Sequence, residues 1–276
     1  MISIAIMNIK GGIGKTTSVV NIAACFSQLK HKRVLVIDCD LQANATSYLL
    51  MNQYLDEDGV QHLPRLAMIS DFLDDKPLEP TKVVFEKNTK KKKDDNCVEL
   101  GLIGSDVNVD LLPIDDIHTI ADKLKTIDDD YDYCFFDCPA ELSNLALAAI
   151  YASDYVLVPS HPDSDSLKGY SIFVEAVNKI RTSTDNNRVK ILGVFFNQVY
   201  TNDSLQAFII KDLRENMGDE LMDTTIRSAA TVRQCRYFGF PVCFYKPRTM
   251  VAKDYKALTE ELFKRMGTEY GVIIWD

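Results

Sequence analysis

The sequence predicts an α/β fold: a doubly wound, mainly parallel, twisted sheet with helices on both faces. Three observations predict it. Apolar, β-branched runs of strand length alternate with stretches of helical periodicity along most of the 276 residues. The first strand, a glycine-rich loop, a helix and a second strand follow one another within about 35 residues, which makes a βαβ unit. Polar residues recur just past the C-terminal ends of the strands, the edge at which a parallel sheet binds ligands.

The elements follow in order. Residues 2–7 (I-S-I-A-I-M) read as a buried strand, and Val20, Ala23, Ala24 and Ser27 give residues 17–30 a helical rhythm. Residues 34–37 form a second apolar β-branched run. Further strands are expected at 133–136, 155–158 and 190–196, with helices at 117–127, 143–151, 168–181 and 250–266. Residues 51–97 are the least informative stretch and read as a variable insertion within a single domain spanning 1–276. The lysine run Lys90–Lys93 there reads as a solvated loop, with a DNA-contacting arm as the other possibility.

Composition narrows the function. A hydrophobic fraction of 46% and a charged fraction of 26% suit a globular protein with a well-buried core. No apolar run reaches the roughly 18 residues of a membrane helix, and no signal peptide is visible, so a cytoplasmic protein is expected. The seven cysteines contain no C-x-x-C pair, and the four histidines are scattered, which counts against a metal cluster. The net charge is −9, yet Thr224–Arg265 holds nine basic residues against three acidic ones, +6 in all. Such asymmetry fits either solvated helix faces or a surface for nucleic acid.

The chemistry sits at four strand ends: the loop after residue 7, Asp38 and Asp40 after Ile37, Asp137 after Phe136, and Asn197 after Phe196. The loop reads K-G-G-I-G-K-T-T over residues 10–17. Gly11, Gly12 and Gly14 let backbone N–H groups wrap phosphate oxygens where a side chain would block the approach. The helix that follows adds its positive end. Lys15 places a charge on the β- and γ-phosphates and the Thr16 hydroxyl can ligate magnesium, with Ile13 and Thr17 completing the cradle. This is a P-loop for ATP or ADP with Mg2+. Asp137, closing an apolar strand, fits the carboxylate that holds magnesium directly or through water.

The common pattern G-x-x-x-x-G-K-[ST] fails at its first glycine, where Ile9 stands, and Lys10 follows. In this the chain resembles the deviant Walker A ATPases of the ParA/MinD type, whose hallmark is K-G-G-x-G-K-[ST]. V-L-V-I-D-C-D-L-Q-A-N at 34–44, D-Y-C-F-F-D-C-P at 132–139, V-L-V-P at 156–159, G-V-F-F-N at 193–197 and G-F-P-V at 239–242 extend the resemblance. It covers nearly the whole chain, with 51–97 its weak part. Leu41 and Ala140 replace two prolines of the family pattern beside catalytic positions.

The resemblance implies that Lys10 reaches across an ATP-sandwich homodimer to the partner's phosphates and that Asp40 orients or activates the attacking water. It implies that Asp38 supports the magnesium or the loop, and that Asn197 reads adenine with Lys246-Pro247 lining the base. Within the family, partition proteins bind DNA non-specifically through C-terminal basic residues and answer to a ParB-like centromere-binding adaptor. Arg227, Arg233, Arg236 and Arg248 are the candidates for that contact. Residues 226–228, Arg233, Arg236 and G-F-P-V resemble the DNA-binding stretch of ParA proteins that lack an N-terminal helix-turn-helix. A partition ATPase, nucleoid-associated when ATP-bound, is the function expected. A MinD-like membrane-associated ATPase would want a basic amphipathic tail, whereas this tail is acidic, so burial of Val272–Trp275 is preferred. A metabolic or assembly ATPase and a capsule-type tyrosine kinase remain as alternatives.

Overall fold

The structure is a computed structural model that describes residues 1–56, 58–74, 78–86, 97–106, 116–163, 166–184 and 188–267. Lys90–Lys93 and the tail Val272–Trp275 lie outside the described residues. Seven strands form one sheet: β1 (Ile2–Ile6), β2 (Val34–Asp38), β3 (Thr81–Glu86), β4 (Cys97–Ile103), β5 (Tyr133–Asp137), β6 (Tyr155–Ser160) and β7 (Lys190–Phe196). Their order is β3-β4-β2-β5-β1-β6-β7, and every neighbouring pair is parallel except β3–β4. The interior strand β1 has β5 on one side and β6 on the other, so the loop that leaves it opens where the winding reverses.

Strand periodicity divides the core. Ile4, Ile6, Val34, Val36 and Phe135 point to one face, where α1 (Lys15–Lys30), α2 (Asn44–Leu50), α9 (Val242–Tyr245) and α10 (Met250–Gly267) pack. Ala5, Met7, Leu35, Ile37 and Phe136 point to the other, covered by α3 (Ile69–Leu73), α4 (Thr119–Leu124), α5 (Asn144–Tyr151) and α6 (Ser166–Thr184). Helices thus lie on both faces, as the alternating pattern predicts. Helix α1 is buried nearly all round its first three turns, because it touches β4 and β5 on one side and α2, α9 and α10 on the other. Its Phe26 stacks on Phe263 at 4.5 Å and meets Phe135 edge-on at 5.0 Å, tying α10 through α1 to the sheet.

The weakly readable stretch 51–97 contributes α3 and the edge strand β3, which pairs antiparallel with β4 from Thr81↔Leu102 to Glu86↔Cys97. Its alternate residues Thr81, Val83 and Phe85 are buried while Lys82 and Glu86 are exposed. Two more helices, α7 (Ser204–Met217) and α8 (Ala230–Tyr237), follow β7. Asp203 caps α7 by accepting from the N–H groups of Leu205 and Gln206.

Candidate nucleotide and hydrolysis site

The four polar strand ends do meet at one edge of the sheet. Between β1 and α1 the chain turns through Gly12 (φ 76°) and Gly14 (φ 83°), left-handed conformations that glycine adopts without strain. At Gly14 a side chain is also excluded by space, since a Cβ would lie 2.6 Å from Asn197 Nδ2. Lys15 opens α1 with only 9% of its surface exposed, and its Nζ donates to the carbonyl of Lys10 at 3.3 Å. Burial lowers the Lys15 pKa, while Asp137 and Asp40 nearby oppose that shift.

Asp38 and Asp137 end adjacent strands in register, and both are buried. Burial pushes the Asp38 carboxyl up to about 6. It raises Asp137 well above the usual carboxylate range, with the charge of Asp38 adding to the effect. Neither carboxylate oxygen of Asp137 completes a hydrogen bond, although Thr16 stands close enough to favour its charged form. A buried carboxylate with both oxygens orphaned, beside a threonine hydroxyl, is a donor set suited to a hard divalent cation. Among the described residues no group of three or more His, Cys, Asp or Glu forms a cage. None is expected for magnesium, which keeps waters and phosphate oxygens as its other ligands.

Asp38 is placed otherwise. Its Oδ2 accepts from the N–H and the hydroxyl of Thr46, both at 2.8 Å, and its Oδ1 accepts from the N–H of Asp40 at 3.1 Å. Of the two roles expected for it, magnesium or loop, the hydrogen bonds support the loop. Asp40 lines the cleft in front of the P-loop, and its own Oδ1 accepts from Gln42 N–H at 3.0 Å.

Asn197, expected at the base, has partners within the chain. Its amide donates to the carbonyl of Ile13 at 2.8 Å, and its Oδ1 accepts from Gln198 N–H at 2.9 Å, so it braces the P-loop from β7. Gln198, held at φ 57°, braces it a second time with a 2.9 Å bond to the Gly12 carbonyl. Asn8 acts from the other flank, donating to Pro159 O at 2.8 Å and accepting from Lys10 N–H at 3.0 Å. Sequence reasoning missed Asn8 and Gln198, although each is a polar residue just past a strand end. The Lys10 ammonium forms an ion pair with Asp163, past the end of β6.

The cleft in front of the loop encloses about 640 Å3. Its far wall is the segment Ile226–Ala230 with Val232, Tyr200 and Tyr255, and Pro247, expected against the base, is not part of it. Arg227, Arg233 and Arg236 share this wall, while Arg248 is exposed outside it. Arg227 is committed: its Nε and Nη2 pair with Asp254 at 2.6 and 2.8 Å, and its backbone N–H reaches the same carboxylate at 3.2 Å. The guanidinium of Arg227 is thus engaged within the fold. Arg236 donates to Asn44 at 3.2 Å, and Arg233 is exposed.

A profile of the AAA-domain family matches residues 1–191. The chain belongs to this family of P-loop ATPases, in its ParA/MinD group. Relatives include the chromosome partitioning protein ParA of Myxococcus xanthus, 26% identical over 262 residues, 95% of this chain and 88% of that one. The sporulation initiation inhibitor protein Soj of Bacillus subtilis is 29% identical over 260 residues, covering 94% and 97%. Among solved structures, apo McdA of Cyanothece superimposes with a TM-score of 0.73 at 21% identity, covering 95% of this chain and 99% of that one. The septum site-determining protein MinD of Pyrococcus horikoshii, complexed with Mg-ADP, gives 0.69 at 22% identity over 96% and 97%. The shared ParA/MinD fold accounts for the strand order and for the loop after β1.

Proposed function

We propose that this ParA-type ATPase is a partition motor that hydrolyses ATP to ADP and phosphate and holds DNA non-specifically while ATP is bound. One observation carries the reading: a single cleft joins the P-loop, the aspartate that faces it and the arginine-bearing segment. Gly12 and Gly14 present backbone N–H groups to the phosphates, and Lys15 neutralises the charge that grows on them. Thr16 and Asp137 are the residues that would hold Mg2+, which would supply positive charge to the site. Asp40 orients the water that attacks the γ-phosphorus and accepts its proton. The base and sugar occupy the end of the cleft walled by Ile226–Ala230 and Tyr200.

Lys10 leaves Asp163 to reach the partner's phosphates, which ties ATP binding to dimerisation. Arg233, Arg236 and Arg248, exposed on the basic segment, then contact DNA phosphates without reading sequence. A ParB-like adaptor stimulates turnover, and the name of the Myxococcus relative, a chromosome partitioning protein, supports a role in segregation. The test is binding to unrelated duplexes at two salt concentrations, with ATP, with ADP and without nucleotide. ATP-dependent, sequence-tolerant binding that weakens steeply with salt is expected. Absence of binding under every nucleotide, or capture by anionic vesicles instead, would overturn the partition reading.

A further inference from the structure

Helix α2 begins four residues after Asp40 without a capping side chain at Ala43, whose φ is 49°. The first-turn N–H groups of a helix have no acceptor within the helix and need one from elsewhere. For Thr46 that acceptor is the carboxylate of Asp38 at 2.8 Å, delivered from the end of β2. The same oxygen receives the Thr46 hydroxyl proton at 2.8 Å. The hydroxyl oxygen in turn accepts from the N–H of Ser105, past the end of β4, at 2.9 Å. An N–H can only donate and an ionised carboxylate can only accept, so the Thr46 hydroxyl has one orientation, with its proton on Asp38. Asp38, Thr46 and Ser105 are all buried, where such bonds are strong and their loss leaves groups unsatisfied.

The consequence reaches the cleft. The other Asp38 oxygen holds the backbone N–H of Asp40 at 3.1 Å. The chain from Ser105 through Thr46 and Asp38 thus ends on the residue that faces the phosphates. We infer that Thr46 is a positioning residue for hydrolysis: its hydroxyl locks Asp38, and Asp38 sets the backbone from which the Asp40 carboxylate addresses the attacking water. This rests on the reading of Asp40 given above. Thr46 is buried behind the cleft and is not among the residues that line it, so it acts on turnover and leaves the affinity for nucleotide alone.

Three variants test it. Thr46→Val keeps the shape, including the methyl group packed toward Gly104, and removes only the hydroxyl. Thr46→Ser keeps the hydroxyl and loses the methyl. Thr46→Ala asks the same question should the valine variant fail to fold. Single-turnover hydrolysis and ATP affinity are measured with Mg2+ for each, with Asp40→Ala in parallel. A loss of at least about 10-fold in the hydrolysis rate for Thr46→Val, or for Thr46→Ala, is expected, with affinity within about 2-fold and Thr46→Ser near the wild type. In the Asp40→Ala background the same substitution should add nothing, because both act through one group.

Wild-type hydrolysis in Thr46→Val and Thr46→Ala would overturn the inference, and so would a full extra loss in the Asp40→Ala background. A serine variant as slow as the valine one would assign the effect to packing and also overturn it. A normal rate in Asp40→Ala itself would instead remove the reading of Asp40 on which the inference rests.

Discussion

Asp137 sits where a charged group is poorly tolerated until something binds it. A carboxyl whose folded pKa lies above its unfolded value binds protons more tightly when folded. It therefore costs stability at pH above the folded value, and the cost fades as pH falls through it. Asp38, raised to about 6 from 3.8, follows this rule, and Asp137 is raised in the same direction. Replacing Asp137 by Asn should accordingly stabilise the nucleotide-free protein and raise its melting temperature. The gap to the wild type should narrow as pH is lowered. The same variant should lose the extra stabilisation that ADP with Mg2+ confers on the wild type. Scanning calorimetry with and without ligand measures both effects. A lower melting temperature for the nucleotide-free variant would make Asp137 a structural partner instead of a cation ligand.

The segment that follows β7 through Ile226 is held to α10 by Arg227, whose guanidinium grips Asp254 with two hydrogen bonds. Asp254 is nearly buried, with an 11% exposed side chain, so removing its partner strands a charge. Arg227→Ala should cost roughly 1–3 kcal/mol of stability, discounted because the arginine itself is partly solvated. Denaturant unfolding measures this. An unchanged midpoint would mean that the pair contributes nothing and would return Arg227 to the DNA surface. The variants suited to testing DNA contact are therefore Arg233→Ala and Arg248→Ala. Each is expected to weaken every duplex about equally and to lower the salt slope by about one unit.

Two copies of the chain would present the basic segment twice, and the second contact then gains from effective concentration. An acidic body with a net charge of −9 opposes DNA binding by a single copy, so on the proposed reading pairing would set the nucleotide dependence. On the proposed reading, Lys10 is the group on which pairing turns. Lys10→Ala should bind ADP as the wild type does while ATP no longer drives dimerisation, read by light scattering or sedimentation. A dimer of unchanged strength would leave Lys10 with only its ion pair to Asp163.

Strand and helix periodicity, the K-G-G-I-G-K-T-T loop and the aspartates at strand ends were legible in the chain because each signal is local. Alternation over five residues identifies a buried strand, and three glycines before a lysine identify a phosphate cradle, wherever the chain runs. The P-loop reading of Lys15 and Thr16 and the cation reading of Asp137 rest on those signals, while the family and the proposed role of Asp40 come from the resemblance those motifs carry. Four things required the tertiary structure: the antiparallel pairing of β3, the bracing of the P-loop by Asn197, the capture of Arg227 by Asp254, and the lock of Thr46 on Asp38. Asn197 meets Ile13 across 184 residues, Arg227 meets Asp254 across 27, and Thr46 meets Ser105 across 59. An asparagine that reads a base and one that holds a loop look the same in sequence. Only folding brings the competing donors and acceptors within 3 Å of each other, and burial then decides which of them the side chain must satisfy.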